Sequence, residues 1–372
     1  MKYIGVFYGG KSVEHDISII TALQAMNAAP KGCFMLPIYI TPEGKMVTGD
    51  NLKQATTYLN FAKNVKGLKE VVVPIGSGEI CLCKRNKMKT RIKLDCALLC
   101  NHGHGGEDGS LQGLLELAEI PYTSCSVSSS AMCMDKDFTK VFLQTNGIDT
   151  PAYLHISIDS YKDEKEKFIK DVEDFIGYPC IVKPTRLGSS VGIGICANEA
   201  ELESKIEDAF KFDNKLVVEE YLSGVREFCC AVVKNSGKLV ASKVCEVVKS
   251  EIYTFEEKYI NHKKGEQKVI SKALEKAIKD MAVASYKALE CDGVVRVDFL
   301  YDEESKKLFV NEINSIPGSL AFNLFETSFA DLLMTLFNEA KARGDSKKTI
   351  VYKFNSKAIE KYIEMTSGFK VK

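Results

Sequence analysis

Apolar positions along this chain follow two alternating rhythms. Residues 3–8, YIGVFY, are an almost unbroken apolar run closed by Gly9 and Gly10, which reads as a strand buried on both faces. Ile17, Ile20, Leu23 and Met26 then recur at helical spacing, and Ser12 stands where it can cap that helix. CFMLPIYI from Cys33 and LDCALLC from Leu94 are further strands. Strands alternating with helices predict a parallel sheet in the first third of the chain.

After Pro121 and a serine-rich stretch, helices are expected over 137–146 and 160–176, the second with Phe168, Val172 and Phe175 on its apolar face. A strand CIVKP, a glycine-rich turn, a strand VGIGIC, a helix through Leu202, Ile206 and Phe210, and a strand LVVEEYL complete a small α+β unit. Strands near 227–233 and 239–248 precede a polar stretch, 253–266. A helix then presents Leu274, Ile278, Met281, Ser285 and Leu289 on one side. Two strands, GVVRVDFLY and KLFVNEINS, flank the charged turn DEESK, and a helix around 332–340 leads into a lysine-rich tail with no clear pattern from Ser346.

The 372 residues exceed what one core usually serves, so two or three domains are expected. Fifty basic residues balance fifty acidic ones, which gives no electrostatic reason to expect a nucleic acid or an anionic membrane as partner. No run of about eighteen apolar residues predicts a membrane span. The N-terminal run is too short for a secretory leader, so the expected compartment is the cytoplasm. Thirteen cysteines are scattered without paired C-x-x-C knuckles; they read as reduced thiols packed as small apolar groups rather than as a zinc site.

Four stretches carry candidate chemistry. GVFYGGKS, residues 5–12, matches the phosphate-loop pattern. Three features oppose that reading: Gly5 lies inside the strand, Glu14 and Asp16 fall where a polyphosphate would sit, and no later strand supplies the matching Mg²⁺ aspartate. A strand, a tight glycine turn and a helix start that presents Glu14 fits better, and from the residues alone Glu14 either holds an ammonium group or only complements the helix dipole. NHGHGGEDGSLQG, residues 101–113, follows a strand and precedes a helix, a usual place for a ligand loop. His102 and His104 lack a third zinc ligand at suitable spacing.

IVKPTRLGSSVGIGI, residues 181–195, sets Lys183 beside a glycine- and serine-rich turn between strands, with Arg186 as a further cation; an ammonium and several backbone N–H groups suit a phosphate clamp. Residues 293–319 are the sharpest. Alternation along a strand puts Arg296 with Asp298 on one face and Glu312 with Asn314 on one face of its neighbour. Three hard oxygen donors and an arginine suit Mg²⁺ shared with a triphosphate.

At these residues the chain resembles the D-alanine–D-alanine ligases of the ATP-grasp superfamily. The matching pieces are GGKSVEHDIS, HGHGGEDGSLQG, MDKDFTK, IVKPTRLGSSVG, VEEYLSGVREF, FEEKYI, RVDF and NEINSIPG, in order over residues 9 to about 324. The resemblance implies an α/β and α+β chain with an ATP-grasp fold: an N-terminal Rossmann-like domain for the first substrate (1–122), a central domain (123–214) and a C-terminal domain (215–372) with a covering loop near 250–267. It implies two amino acids as substrates, ATP, Mg²⁺ as two ions, and a homodimer.

Carried over residue by residue, the resemblance assigns ATP phosphates to Lys136 and Lys183, with Ser189, Ser190 and Val191 closing over them. Adenine goes to Glu219 with the backbone near Tyr221 and Leu222, ribose to Glu227, and Mg²⁺ to Asp298, Glu312 and Asn314. Glu14 holds the first substrate's amino group, and Glu14, Ser189 and Tyr259 tie the domains together. Lys258 covers the site. His102, Lys258, Arg296, Gly318, Asn323 and Leu324 contact substrate, and Arg296 with the Gly318 N–H stabilises an oxyanion. The implied reaction passes through an acyl phosphate to a D-alanyl-D-alanine dipeptide for peptidoglycan.

Two departures matter. Leu187 stands where the family has an acidic residue. Asn323 stands where it has a serine that holds the second substrate's carboxylate, which keeps a second amino acid such as D-serine open. Tyr259 favours an amine acceptor. A phosphate-loop nucleotide hydrolase built on GVFYGGKS is the distant alternative.

Overall fold

The protein is described from a computed structural model, which covers residues 1–84, 87–247, 270–351 and 354–366. Three sheets and three apolar cores organise the chain, the first core also taking in Ala231, Val233 and Val294 of the third sheet.

The first sheet has seven strands, β1 (Lys2–Gly9), β2 (Cys33–Ile40), β3 (Met46–Thr48), β4 (Lys69–Val72), β5 (Glu79–Lys84), β6 (Lys87–Lys93) and β7 (Cys96–Leu99), in the order β6-β5-β4-β3-β2-β1-β7. β1 lies between β2 and β7 and is parallel to both, which explains its apolar run: both of its faces are covered. Pro37 is tolerated in β2 because β3 pairs only with Tyr39 and Ile40, so no neighbour on that side needs an N–H at residue 37. The sheet is mixed, not parallel throughout. β2 to β6 form an antiparallel run that periodicity missed, since strands such as KEVV and KMKTRIK carry few apolar residues.

The helix after β1 spans His15–Asn27, two residues later than a cap at Ser12 predicts; Ser12 Oγ instead accepts the Glu14 N–H at 3.1 Å. Its buried side is Ile17, Ser18, Ile19, Thr21, Ala22, Ala25 and Met26, while Ile20 faces outward. Helix Phe329–Lys347 also packs into this first core, through Leu332, Leu333, Leu336 and Phe337.

The second sheet is antiparallel, β10-β9-β11-β8, made of β8 (Tyr153–Ser157), β9 (Cys180–Pro184), β10 (Gly194–Cys196) and β11 (Lys215–Glu220). Helices Ile158–Phe175 and Glu199–Ala209 cover it with Phe168, Val172, Leu202 and Ile206, whereas Phe175 is exposed. The third sheet is also antiparallel, β13-β12-β14-β15, from β12 (Arg226–Asn235), β13 (Lys238–Val247), β14 (Val294–Tyr301) and β15 (Leu308–Asn314). Its core includes Ile278, Ala282 and Tyr286 of helix Lys272–Ala288, together with Cys133 and Leu143 from helices Val127–Met134 and Lys136–Thr145. The tail beyond Ser346 contains a short exposed helix, Ala358–Thr366.

Candidate functional site

A cleft where the three sheets converge is lined by Glu14, Glu107, Lys136, Ser189, Arg296, Glu312 and Asn314. Its first wall starts where β1 stops. Gly9 has φ +85°, and a Cβ there would lie 2.3 Å from the Ile40 carbonyl oxygen, so only glycine makes this turn. The chain then enters the helix with Glu14 at its mouth. Gly5 pairs with Leu36 and Ala97 in the middle of the sheet, and Lys11 points to solvent. A phosphate loop needs its first glycine in a loop after the strand, so GVFYGGKS is not one.

The second wall is the turn after β9. Ser189 Oγ donates to Glu14 Oε1 at 2.6 Å, and Gly188 packs so close that a Cβ would lie 2.9 Å from that carboxylate. Lys136 Nζ donates to the Leu187 carbonyl at 2.8 Å, holding the same turn from the other side. Ser189 and Ser190 sit in the left-handed region, with φ +54° and +59°. Val191 N–H closes the turn onto the Gly188 carbonyl at 3.3 Å. Arg186 does not reach the cleft; it is engaged by Asp213 and Asn214 at the surface, so the clamp loses that cation.

Behind the turn lies a buried charge cluster. Lys183 Nζ is 2.8 Å from Glu219 Oε2 and 3.3 Å from Asn311 Oδ1. Lys140 Nζ is 3.3 Å from Glu219 Oε1. Burial pushes Lys140 down to about 8 against the pull of Glu219. Burial alone would raise Glu219, but Lys140 and Lys183 outweigh it and hold the carboxyl below its usual range. The sequence reading included Lys183 and Glu219 but missed Lys140, although it stands one helical turn beyond Lys136, a spacing that puts both on one face. Tyr221 and Leu222 follow β11 and are half-buried; Glu227 is the second residue of β12, half-buried.

The third wall is the paired face of β14 and β15. Arg296 stands opposite Asn314 and Asp298 opposite Glu312, so the expected convergence of these four residues is present. Arg296 forks onto Asp298, with Nε–Oδ1 and Nη2–Oδ2 both 2.7 Å, and Asn314 Nδ2 donates to Asp298 Oδ2 at 3.1 Å. Burial opposes the guanidinium charge, and Asp298 more than restores it. A bulge after Asp298 shifts the register and brings Asn311 toward Lys183.

The turn after β15, Gly318–Leu324, carries Ser319, Leu320 and Ala321 in the left-handed region, at φ +52°, +51° and +50°. Such backbone is costly for non-glycine residues and persists only where surroundings hold it. Here Leu320 and Ala321 are buried in the first core, and Ser319 N–H donates to Thr21 Oγ1 at 3.0 Å. Thr21 Oγ1 is 2.9 Å from His102 Nε2. His102 is wholly buried, and burial lowers it to about 4, partly offset by its hydrogen bond to the Ile316 backbone. It braces the turn rather than lining the cleft. His104 is exposed and pairs with Asp108. Asn323 is exposed on the turn, and Leu324 is buried beneath it.

Glu107, absent from the sequence reading, links the same parts. It accepts from Gly103 N–H and Ile316 N–H, each at 2.9 Å, and from Ser315 Oγ at 3.3 Å. Burial, with the charge of Glu14 adding to it, lifts its carboxyl to about 8. Its place in GGEDGS, before the helix that ends the ligand loop, was the available signal. Tyr259 and Lys258 lie outside the described residues, as does the expected covering loop.

The chain as a whole is similar to known proteins. Residues 3–125 match the family described as D-ala D-ala ligase N-terminus, and residues 142–336 that described as D-ala D-ala ligase C-terminus. A D-alanine–D-alanine ligase of Thermosipho africanus is 36% identical over 98% of this chain and 100% of its own length. The structure of the D-alanine–D-alanine ligase from Coxiella burnetii superposes with a TM-score of 0.79 at 27% identity, covering 99% of both chains. The VanG D-Ala:D-Ser ligase of Enterococcus faecalis gives 0.77 at 31% identity, covering 91% of this chain and 99% of that one. These likenesses bear out the expected mixed α/β fold of the ATP-grasp type.

Proposed function

Because this chain belongs to the D-alanine–D-alanine ligase family, we propose that the cleft joins two D-alanine molecules at the expense of ATP, with each wall performing one part of the reaction. The enzyme is an ATP-dependent carboxylate–amine ligase that supplies a peptidoglycan precursor. The Ser189–Glu14 hydrogen bond supports the reading: it closes the turn after β9 onto the carboxylate to which we assign the ammonium group.

Glu14 holds the amino group of the first D-alanine, leaving its carboxylate facing the β14–β15 wall. Lys136, Lys183 and the N–H groups around Ser189, Ser190 and Val191 hold the triphosphate, with the base against Glu219, Tyr221 and Leu222 and the ribose at Glu227. Lys258 and Tyr259 complete the cover. Asp298, Glu312 and Asn314 offer hard oxygen donors on adjoining strands, a donor set that fits Mg²⁺. When bound, that cation neutralises phosphate charge.

A carboxylate oxygen of the first D-alanine attacks the γ-phosphorus, the bond to ADP breaks, and an acyl phosphate forms. The amine of the second D-alanine attacks the acyl carbon, phosphate leaves, and the nitrogen loses a proton. Arg296, held by Asp298, and the Gly318 N–H face the oxyanion that forms between. Asn323 and Leu324 border the second amino acid. Asn323 can still donate through its amide. The same residue supports a second reading, D-serine as acceptor, in line with the likeness to a D-Ala:D-Ser ligase. The enzyme works in the cytoplasm as a homodimer.

A phosphate-release assay with ATP, Mg²⁺ and D- and L-amino acids singly and in pairs tests both readings. D-alanine alone should drive release and yield the dipeptide; chelating the divalent cation should stop it. Release that requires D-serine beside D-alanine favours the second reading, and release with neither contradicts both.

A further inference from the structure

Three cysteines far apart in sequence meet at one point behind the cleft. Cys125 precedes helix Val127–Met134, Cys133 lies in its last turn, and Cys291 follows helix Lys272–Ala288. All three are buried, and their sulfurs lie within 4.8 Å of one another. Cys133 Sγ and Cys291 Sγ are 3.8 Å apart. Ser129 Oγ lies 3.8 Å from Cys291 Sγ and donates to the Leu289 carbonyl at 2.7 Å. Among the described residues this is the one group of three or more cysteine, histidine or acidic side chains arranged to share an ion.

Two facts suit this cluster to holding an ion. Metal–sulfur bonds of about 2.3 Å place tetrahedrally arranged sulfurs about 3.8 Å apart. The Cys133–Cys291 spacing is that length, with no bond between the sulfurs. The donor set is also all sulfur, with no carboxylate or imidazole in it, which selects soft cations over Mg²⁺. Elsewhere, neighbouring thiols such as Cys229 with Cys245 and Cys180 with Cys196 are cross-strand pairs fixed by sheet register, with no third sulfur.

We propose that Cys125, Cys133 and Cys291 form a three-thiolate site for a soft d¹⁰ cation of the zinc class, with Ser129 Oγ beside it as an oxygen donor. Each sulfur gives its proton to solvent as it binds, so three protons leave per ion, no electron moves, and a divalent ion gives a centre of net charge −1. The site ties two parts of the catalytic cleft together. Cys133 itself lines the cleft beside Met134 and Lys136, and Cys291 stands three residues before β14, the strand of Arg296. A bound ion pins the helix leading to Lys136 against the strand bearing Arg296.

Reduced, metal-free, full-length enzyme is titrated with Cd²⁺, and then with Zn²⁺ in competition, without nucleotide. The proposal expects a sulfur-to-cadmium charge-transfer absorption that saturates at one equivalent per chain, with about three protons released per ion at saturation. Zn²⁺ should abolish the band, and X-ray absorption of the zinc form should show three sulfurs at about 2.3 Å. Cys133→Ser and Cys291→Ser should each weaken binding at least tenfold, while Cys229→Ser leaves it unchanged; thermal unfolding without metal reports whether each variant folds. A cation held by Asp298 and Glu312 gives no sulfur band. Binding without that band, a zinc shell lacking three sulfurs, or equal loss in Cys229→Ser overturns the proposal, and the wild-type measurements decide it even if a variant does not fold.

Discussion

Ser189 Oγ donates to Glu14 Oε1 across 2.6 Å, so one hydrogen bond joins the turn of the second sheet to the helix mouth of the first. A hydrogen bond to a charged group contributes about 1.5–3 kcal/mol. Ser189→Ala should therefore lower kcat/KM for ATP by about 10- to 100-fold and leave the unfolding midpoint in place; Ser189→Thr should recover part of the loss. Steady-state kinetics check this, and activity within twofold of wild type would remove the bond from the mechanism.

Arg296 is half-buried and held in a two-point fork by Asp298. Removing one oxyanion donor typically costs about 10²- to 10³-fold in kcat. Arg296→Ala should abolish measurable dipeptide formation while nucleotide binding, followed by calorimetry, persists. Arg296→Lys keeps the charge but loses the fork and should fall between the two. An active Arg296→Ala enzyme contradicts the assignment.

Lys140 shares Glu219 with Lys183 in a site with almost no solvent. Breaking a buried ion pair by deleting one partner typically costs about 3–5 kcal/mol. Lys140→Ala should lose stability of that order in a denaturant titration, through a shifted midpoint at unchanged slope. Lys140→Met, which fills the space, should lose less.

Glu107 gives stability a pH dependence. Its carboxyl rises from 4.5 to about 8 on folding, chiefly through burial and secondarily through Glu14. Between those values the folded protein holds a proton that the unfolded chain has released, so stability falls as pH rises through this window. The thermal midpoint should drop from pH 5 toward pH 8, and Glu107→Gln should flatten the decline. Parallel profiles for the two proteins would refute the assignment.

Much of the site was legible because its chemistry sits on strongly patterned strands. Alternation alone put Arg296 with Asp298 and Glu312 with Asn314, and strand pairing then set them opposite each other. Glycine spacing gave the turn that brings Ser189 to Glu14. What could not be read depends on tertiary contact. Glu107 and Thr21 act by reaching residues 315–319, some 200 and 300 positions away. Three scattered cysteines converge only once the helices pack on the third sheet. Arg186 looked like a phosphate ligand because its local context is cationic, but Asp213 lies closer in space. Strands β4 and β6 escaped because most of their residues are polar, and β3 because three residues leave little period to detect.

A crystal structure with a slowly hydrolysed ATP analogue and Mg²⁺ tests the central claim most directly. The account predicts the triphosphate between Lys136 and Lys183 on one side and Asp298, Glu312 and Asn314 on the other, with the turn at Ser189 closed over it. A triphosphate resting on Gly9, Gly10 and Lys11, away from Glu312, would contradict it.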